Sequence, residues 1–259
     1  MSIYDHDLHI HSQLSSCSRD PEQNAGSILA YAKKNELKTI CITDHFWDSS
    51  VPGASNWYAP QNFDHISQIL PLPQDDDVRF LFGCETDMDK FGTIGVSKEC
   101  MKKFDFIIVP TTHMHMNGFT VRGDEEAAER AELWVKRFDT LLEADMPFEK
   151  VGIAHLTCGL IWRERHLEVL RLISDEDMIR LFRKSAERGL GIELNFNALA
   201  LNEESEPVML RPYRIAKEEG CKFYFGSDAH HQKEFESAPA SFARMIELLG
   251  LEEKDKFVI

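Results

Sequence analysis

The hydrophobic positions of this chain form short apolar runs separated by longer amphipathic stretches, a pattern typical of parallel α/β units. The apolar runs predict seven strands, over residues 4–9, 39–43, 79–84, 106–110, 151–154, 191–195 and 222–226. The amphipathic stretches predict helices over residues 21–34, 125–143, 175–188, 208–219 and 238–249. For the first helix we expect Asp20 as the N-cap and Pro21 at the first helical position.

Seven strands that alternate with helices indicate a barrel-like parallel sheet, and an open doubly wound sheet is the alternative. No internal repeat, low-complexity segment or linker divides the 259 residues, so we expect one domain over 1–259. After the third strand, residues 87–92 predict a turn into an extended segment that ends near Val96, where Ser97 can cap a short helix. In either architecture, ligands bind at the carboxyl ends of the strands.

Six of the seven predicted strands end in side chains that can bind metals. His9 and His11 are two residues apart, so both imidazoles lie on one face of the first strand. The other candidates follow later strands: His45, Glu85, His113, His155, Asp228 and His230. One histidine at a strand end is more often a structural residue, but a mononuclear site needs only three or four ligands, so eight donors indicate two or more metals. Imidazole and carboxylate together favour zinc, manganese or iron.

The order of these motifs resembles the polymerase and histidinol phosphatase (PHP) superfamily. The resemblance covers residues 7–230 and rests on the HxH motif, Thr43-Asp44-His45, Glu85, two single histidines and the closing Gly226-Ser227-Asp228-Ala229-His230. It implies a distorted (β/α)7 TIM-like barrel, two or three divalent metal ions, phosphoester hydrolysis and a bridging role for Glu85. Many members carry a further histidine at the position of Cys17. This thiol is either a ligand or inert, and Asp20 is a further candidate nearby.

The resemblance also implies how hydrolysis proceeds. Divalent cations about 3.5–4 Å apart activate water and hold phosphoryl oxygens, so no protein nucleophile is needed. We expect Asp44 to orient a ligand imidazole, and Asp228 or His230 to pass a proton to the leaving group. The candidate phosphate-binding cations are Arg122, Arg163 and Arg165, with Arg19 as a further one, and His115 and His231 flank candidate ligands.

Composition narrows the partners. The net charge of −15 argues against a nucleic-acid backbone as partner, so a phosphodiesterase or exonuclease is the second hypothesis. A non-catalytic metal-binding module is the third, because degenerate members of the superfamily usually lose ligands and this chain keeps nearly all of them. Six dispersed cysteines, with no secretion signal and no membrane-length apolar run, predict a cytoplasmic protein. The oligomeric state stays open.

The expected partner is a small phosphorylated molecule. Trp57 and Tyr58, within residues 46–60, are candidates for an aromatic wall around it. Histidinol phosphate is one possibility, but the turn Phe196-Asn197-Ala198-Leu199 lacks the basic side chain expected there in histidinol phosphatases. Histidinol phosphate is therefore not favoured over other small phosphomonoesters as the substrate.

Overall fold

The computed structural model describes residues 3–259, in which parallel strands alternate with helices. Within this part of the chain there are nine strands, β1 to β9: His6–Ile10, Thr39–Ile42, His45–Phe46, Arg79–Phe82, Cys84–Thr86, Ile107–Pro110, Val151–Ala154, Gly191–Leu194 and Lys222–Phe225. The same residues contain eight α-helices, α1 to α8: Ala25–Lys34, Phe63–Ile66, Lys98–Met101, Ala127–Glu143, His166–Leu172, Asp175–Arg188, Ser205–Glu218 and Ala238–Leu249. Short 3₁₀ turns connect several of them, including Arg163–Arg165 and Gln232–Glu236.

The strands form two parallel ladders, in the orders β1-β2-β4 and β3-β5-β6-β7-β8-β9. β2 and β3 are parts of one strand interrupted at residues 43 and 44, and β4 and β5 are parts of another interrupted at Gly83. Backbone hydrogen bonds cross these breaks, from Gly83 N–H to Ile42 O at 2.8 Å and from Glu85 N–H to Asp44 O at 3.1 Å. The nine segments therefore occupy seven strand positions, which are the seven that the sequence predicts.

The first and last strands meet along a seam. The amide of Asp228 donates to His9 O at 2.7 Å, and the amide of His11 donates to Ala229 O at 3.0 Å. Further down the seam, the imidazole Nε2 of His6 accepts from the Phe225 amide at 3.1 Å. A side chain thus replaces part of the ladder, and the predicted distorted (β/α)7 barrel is confirmed.

A register shift in β1 brings its polar side chains to the seam. Pairing with β2 is regular at Asp7 and resumes at Ile10, so the alternation of side chains breaks between them. Leu8 packs in a small cluster with Phe106 and Tyr224, whereas Ile10 joins the main core between strands and helices. Such bulges re-aim side chains next to active sites.

The structure contains the five predicted helices, with some different bounds: α4 begins at Ala127 rather than at residue 125, and α7 spans Ser205–Glu218 rather than 208–219. α6 and α8 have the predicted bounds, and Ser97 caps α3 by accepting from the Cys100 amide. The predicted start of the first helix is wrong, because α1 begins at Ala25 and its N-cap is Asn24. Asp20 instead accepts from the Glu22 amide at 2.9 Å in a preceding turn. None of the helices in residues 3–259 combines the length and apolarity that a membrane crossing requires.

Candidate metal centre

Glu85 lies at the centre of the candidate ligands and is fully buried. Its Oε2 is 2.9 Å from His45 Nδ1, 3.3 Å from His11 Nε2 and 3.6 Å from His9 Nε2. Its Oε1 faces the other side, 3.2 Å from His155 Nε2 and 3.7 Å from His113 Nε2. One carboxylate therefore presents its two oxygens to two different groups of imidazoles.

Asp228 faces the same cluster from the seam. Its Oδ1 is 3.0 Å from His11 Nε2 and 3.3 Å from His9 Nε2. The potential ligand atoms form three sets, and the atoms of each set lie within 4.8 Å of one another. The sets are His11–Cys17–His45–His230, His9–Glu85–His155 and His9–His11–Asp228. His113 completes the cluster through its stacked contact with His155. The structure thus brings together all nine side chains that the sequence proposes as ligands.

Two buried polar atoms in the cluster have no hydrogen-bond partner within residues 3–259. They are His45 Nδ1 and Glu85 Oε2, which face each other without hydrogen-bond geometry. An unsatisfied buried polar atom is costly unless it binds something. The donor set of imidazoles and carboxylates, together with these orphan atoms, fits divalent metal ions.

Ser15 links Asp44 to a ligand imidazole. Its hydroxyl donates to Asp44 Oδ1 at 2.7 Å, so it accepts from His11 Nδ1 at 2.8 Å. Asp44 also accepts from the amide and hydroxyl of Ser12. The expected orienting role of Asp44 is therefore exerted through Ser15, and His11 is left with Nε2 free for a metal.

Glu193 contacts two candidate ligands, although no sequence motif singles it out. This fully buried carboxylate in β8 accepts from His9 Nδ1 at 2.5 Å and from the His155 amide at 3.1 Å. Gly226 leaves room for the pair, because a Cβ there would lie 2.3 Å from Glu193 Oε1. The available signal was a single charge inside an otherwise apolar parallel strand, where an unpaired carboxylate is expensive.

A second missed network holds His113. Its Nδ1 donates to Asp87 Oδ2 at 3.0 Å, and the Tyr58 hydroxyl donates to the same oxygen at 3.1 Å. Arg137 of α4, itself buried, donates to Asp87 Oδ1 and to the carbonyls of Met88 and Thr111. A helix that the sequence presents as an amphipathic cover therefore positions a candidate ligand from behind.

His155 and Asp228 have left-handed backbone, with φ values of 60° and 55°. Non-glycine residues adopt this region at a cost of about 1–3 kcal/mol, and such residues cluster at functional sites. Each follows a strand of the barrel, β7 or β9, and turns its side chain back over the cluster. The backbone strain at these two candidate ligands is expected where the required direction of a side chain outweighs the local conformational preference of the backbone.

The charges of the cluster suit metal binding. Burial disfavours ionisation of Glu85, yet His45 and His9 hold its pKa well below its ordinary value. The pKa of Asp228 is likewise lowered, by His9 and His155 against the effect of burial. Burial and the charge on His11 lower the pKa of His230 to about 3. Burial lowers the pKa of His11 and His155, but the carboxylates of Asp228 and Glu85 outweigh it and raise these pKa values to about 9 and about 8. Metals bind ionised carboxylates and neutral imidazoles, so metal binding would release protons from these two rings. The neutral His230 ring keeps its one proton on Nδ1, which donates to the Asp228 carbonyl at 2.7 Å. The role of Asp228 or His230 in passing a proton to the leaving group stays a prediction.

A cavity of about 530 Å³ opens over the cluster. Six of the candidate ligands line it, among others: Cys17, His45, Glu85, His113, Asp228 and His230. Apolar and aromatic side chains also line it: Trp57, Tyr58, Met116, Phe119 and Leu160. Among residues 3–259, those that line this cavity include no lysine or arginine. His115 lines it beside His113, as expected, and burial lowers the pKa of His115 to about 4.

The predicted phosphate-binding arginines lie elsewhere. Arg122 is exposed and pairs with Asp124 and Glu129. Arg165 forms a two-point ion pair with Glu168, and Arg163 is an exposed residue of the adjacent 3₁₀ turn. The structure does not bring these side chains to the cavity, because each is a surface residue and the carboxylates beside two of them already accept their donors. Asp20 turns toward His231, at 3.4 Å from its Nδ1, rather than toward the cluster.

Comparisons with known proteins agree with this geometry. A family model for the PHP domain matches residues 7–197. A crystal structure of histidinol phosphate phosphatase from Lactococcus lactis, complexed with zinc, L-histidinol and phosphate, superposes with a TM-score of 0.62 at 18% identity and covers 95% of this chain and 92% of that one. A putative histidinol phosphatase from Listeria monocytogenes gives a TM-score of 0.61 at 15% identity, over 88% of this chain and 96% of that one. No curated protein matches this chain.

Proposed function

This chain belongs to the PHP domain family, and on that premise we propose that it is a metal-dependent phosphoesterase that hydrolyses a small phosphomonoester. The proposed metal ligands are His9, His11, His45, Glu85, His113, His155, Asp228 and His230. We place two or three zinc, manganese or iron ions among them. The expected partner is a small phosphorylated molecule rather than a nucleic acid.

The observation that carries the proposal is the position of Glu85. It is fully buried, and its two oxygens face separate groups of imidazoles at 2.9–3.7 Å. A buried carboxylate among five imidazoles has little structural value, because the desolvation of so many polar groups opposes folding. The same arrangement is favourable when cations bind between the donors.

Bound divalent cations supply the positive charge that phosphoryl oxygens need and activate water for attack on phosphorus. The chain itself supplies the orientation. Glu193, Ser15 and Asp87 each hold Nδ1 of one ligand imidazole, so the opposite nitrogen faces the cluster. Since no lysine or arginine among residues 3–259 lines the cavity, the substrate phosphate depends on the metal ions for its counter-charge.

The aromatic residues that line the cavity indicate which class of leaving group fits it. Trp57 is 37% exposed and stands edge-on to His45, with ring centroids 4.9 Å apart. Phe119 and Tyr58 continue this wall at a centroid distance of 5.5 Å. Aromatic walls favour flat or apolar groups through burial and ring contacts. We therefore favour an alcohol that carries an aromatic or apolar group. Histidinol phosphate, with its imidazole, is the first compound to assay.

The test is a panel of phosphoesters with the purified full chain loaded with zinc, manganese or iron. We expect phosphate release from histidinol phosphate and 4-nitrophenyl phosphate, with up to about tenfold higher kcat/KM than from glycerol phosphate. Glu85→Gln should lower phosphate release by about 100-fold or more, while Glu132→Gln, at an exposed position of α4, should not. Trp57→Ala should reduce the preference for aromatic substrates, and Phe91→Ala, outside this cavity, serves as its control.

Three outcomes would overturn parts of the proposal. A panel inactive with all three metals would remove the phosphatase assignment. Faster cleavage of short oligonucleotides than of monoesters would favour an exonuclease. Unchanged activity in both Glu85→Gln and His45→Ala would favour a non-catalytic metal-binding module.

A further inference from the structure

Cys17 stands among three imidazoles at one side of the cluster. Donor atoms of His11, Cys17, His45 and His230 all lie within 4.8 Å of one another. The other two donor groups, His9–Glu85–His155 and His9–His11–Asp228, contain only nitrogen and oxygen. The cluster is therefore chemically uneven, with sulfur available at one end.

The three imidazoles around Cys17 are prepared for a ligand. His11 Nδ1 is bonded to Ser15 at 2.8 Å, and His230 Nδ1 donates to the Asp228 carbonyl at 2.7 Å. Both rings therefore hold Nδ1 in a hydrogen bond and present Nε2, and His11 Nε2 also lies 3.0 Å from Asp228 Oδ1. His45 is 8% exposed and its Nδ1 has no hydrogen-bond partner within the described residues. The rings of His11 and His230 stack at a centroid distance of 4.2 Å.

The other cysteines offer a contrast. Cys41, Cys84, Cys100 and Cys221 are buried in the apolar core, where a thiol acts as a small hydrophobic side chain. Cys158 is partly exposed, but its sulfur lies 3.9 Å from the Thr112 hydroxyl. Cys17 is the cysteine that is exposed on the cavity wall and belongs to a donor group.

We propose that Cys17, with His11, His45 and His230, binds one of the metal ions as a thiolate, and that this makes that position selective for zinc over manganese. Thiolate is a soft ligand that favours zinc, whereas manganese prefers oxygen donors. One sulfur with three imidazoles is also a complete four-ligand set for zinc. This inference rests on the proposed metal centre and specifies the chemistry of one position within it.

The test uses cobalt(II) as a spectroscopic probe for zinc in the full metal-free chain. Titration should produce a sulfur-to-cobalt charge-transfer band in the wild type and in Cys158→Ser, the matched control, but not in Cys17→Ser. Zinc should displace the cobalt and abolish the band. Cys17→Ser should lower zinc affinity at this position by about tenfold or more and leave manganese binding nearly unchanged. Cys17→His should retain zinc without the band, which separates loss of sulfur from loss of the fold.

Absence of the band in the wild type, or its persistence in Cys17→Ser, would overturn the inference. Equal losses of zinc and manganese affinity in Cys17→Ser would also overturn it, because selectivity would then not depend on sulfur. The proposed function fails separately: a cobalt–sulfur band without any phosphate release would leave the thiolate position standing. Phosphate release without the band would support the proposed function and overturn the thiolate ligand.

Discussion

Four candidate ligands share one hydrogen-bond arrangement. In each, Nδ1 donates to an acceptor supplied by the fold, and Nε2 is left for the metal: His9, His11, His113 and His230. The acceptors differ in kind, from the buried carboxylate of Glu193 to a backbone carbonyl. Fixing the tautomer before a metal arrives removes part of the cost of ordering the ligands.

Glu193→Gln tests this arrangement at the residue where it is strongest. The amide cannot accept both from His9 and from the His155 backbone with the same charge-assisted strength. We expect metal affinity and phosphate release to fall by about 10–100-fold while circular dichroism stays unchanged. Calorimetric zinc titration is the measurement, and Glu187→Gln, exposed on α6, is the control. Wild-type affinity in Glu193→Gln would show that the carboxylate is structural only.

At the scale of elements, α4 does more than cover the sheet. Arg130 and Arg137 lie on its buried face, where they donate to backbone carbonyls of the segments after β5, β6 and β7. Two apolar residues of the same helix, Leu133 and Val135, are only partly buried. A prediction from hydrophobic periodicity therefore misplaces the buried face of α4, because it treats arginine as solvent-exposed.

Arg137→Met should therefore destabilise the protein beyond the loss of one ion pair. The substitution removes the guanidinium that donates to the buried carbonyls of Thr111 and Met88, and it leaves the buried Asp87 carboxylate without its cation. We expect the free energy of unfolding to fall by about 3–5 kcal/mol, measured by urea denaturation. Arg180→Met removes an exposed pair with Asp139 and should cost at most about 1 kcal/mol. Similar losses in the two variants would contradict the role given to Arg137.

The strands, in contrast, were predictable at this scale. Parallel strands that are buried on both faces appear in a sequence as continuous apolar runs. All seven strand positions could therefore be predicted from the sequence. The start of α1 could not, because Asp20 and Asn24 both suit an N-cap and only packing decides between them. Gln23 illustrates that packing, since its side-chain amide donates to the carbonyls of His11 and Ala229 across the seam.

The candidate site was predictable to the extent that it followed motifs. His9, His11 and the closing Asp228 and His230 carry recognisable spacing, and the structure gathers them. Glu193 and Arg137 carry none, since each acts through a partner distant in sequence. The arginines chosen for phosphate binding were chosen by position after a strand, which does not indicate where a long side chain turns.

At the scale of the whole molecule, the seam between β1 and β9 makes stability depend on pH. His6 is 3% exposed, and its Nδ1 donates to Asp5 while Nε2 accepts from the Phe225 amide. Burial lowers the pKa of His6 below its ordinary value, against the opposing charge of Asp5, with Lys256 adding to the decrease. The unfolded chain therefore takes up a proton before the folded chain does.

The contribution of His6 to stability should accordingly be complete above about pH 6.5 and decline below it. We expect the loss of unfolding free energy between pH 7.5 and 5.5 to be smaller in His6→Gln, whose side-chain oxygen can accept from Phe225 but does not titrate. Urea denaturation at both pH values measures this. His166→Gln, on the surface, should keep the wild-type difference. An identical pH dependence in His6→Gln would exclude His6 as its source.

Metal removal should also act on the molecule as a whole, because the proposed ligands come from six strand positions. Chelation is expected to lower the Tm, and added zinc should raise it again progressively. At a free zinc concentration of 100 Kd, the free energy of unfolding should rise by about 2.7 kcal/mol. Differential scanning calorimetry provides the measurement. Glu85→Gln should respond more weakly, and a wild-type Tm insensitive to chelator would argue against a metal centre that joins the strands.

The seam has a further consequence for how the protein is made. His9 and His11 are synthesised long before Asp228 and His230, and domains tend to fold as they emerge. The proposed metal centre takes donors from both sides of the seam, so tight metal capture would come after β9 has docked against β1. A nascent or truncated chain without β9 would then hold its metal poorly. Retention of metal would in that way mark a chain in which β9 has docked against β1.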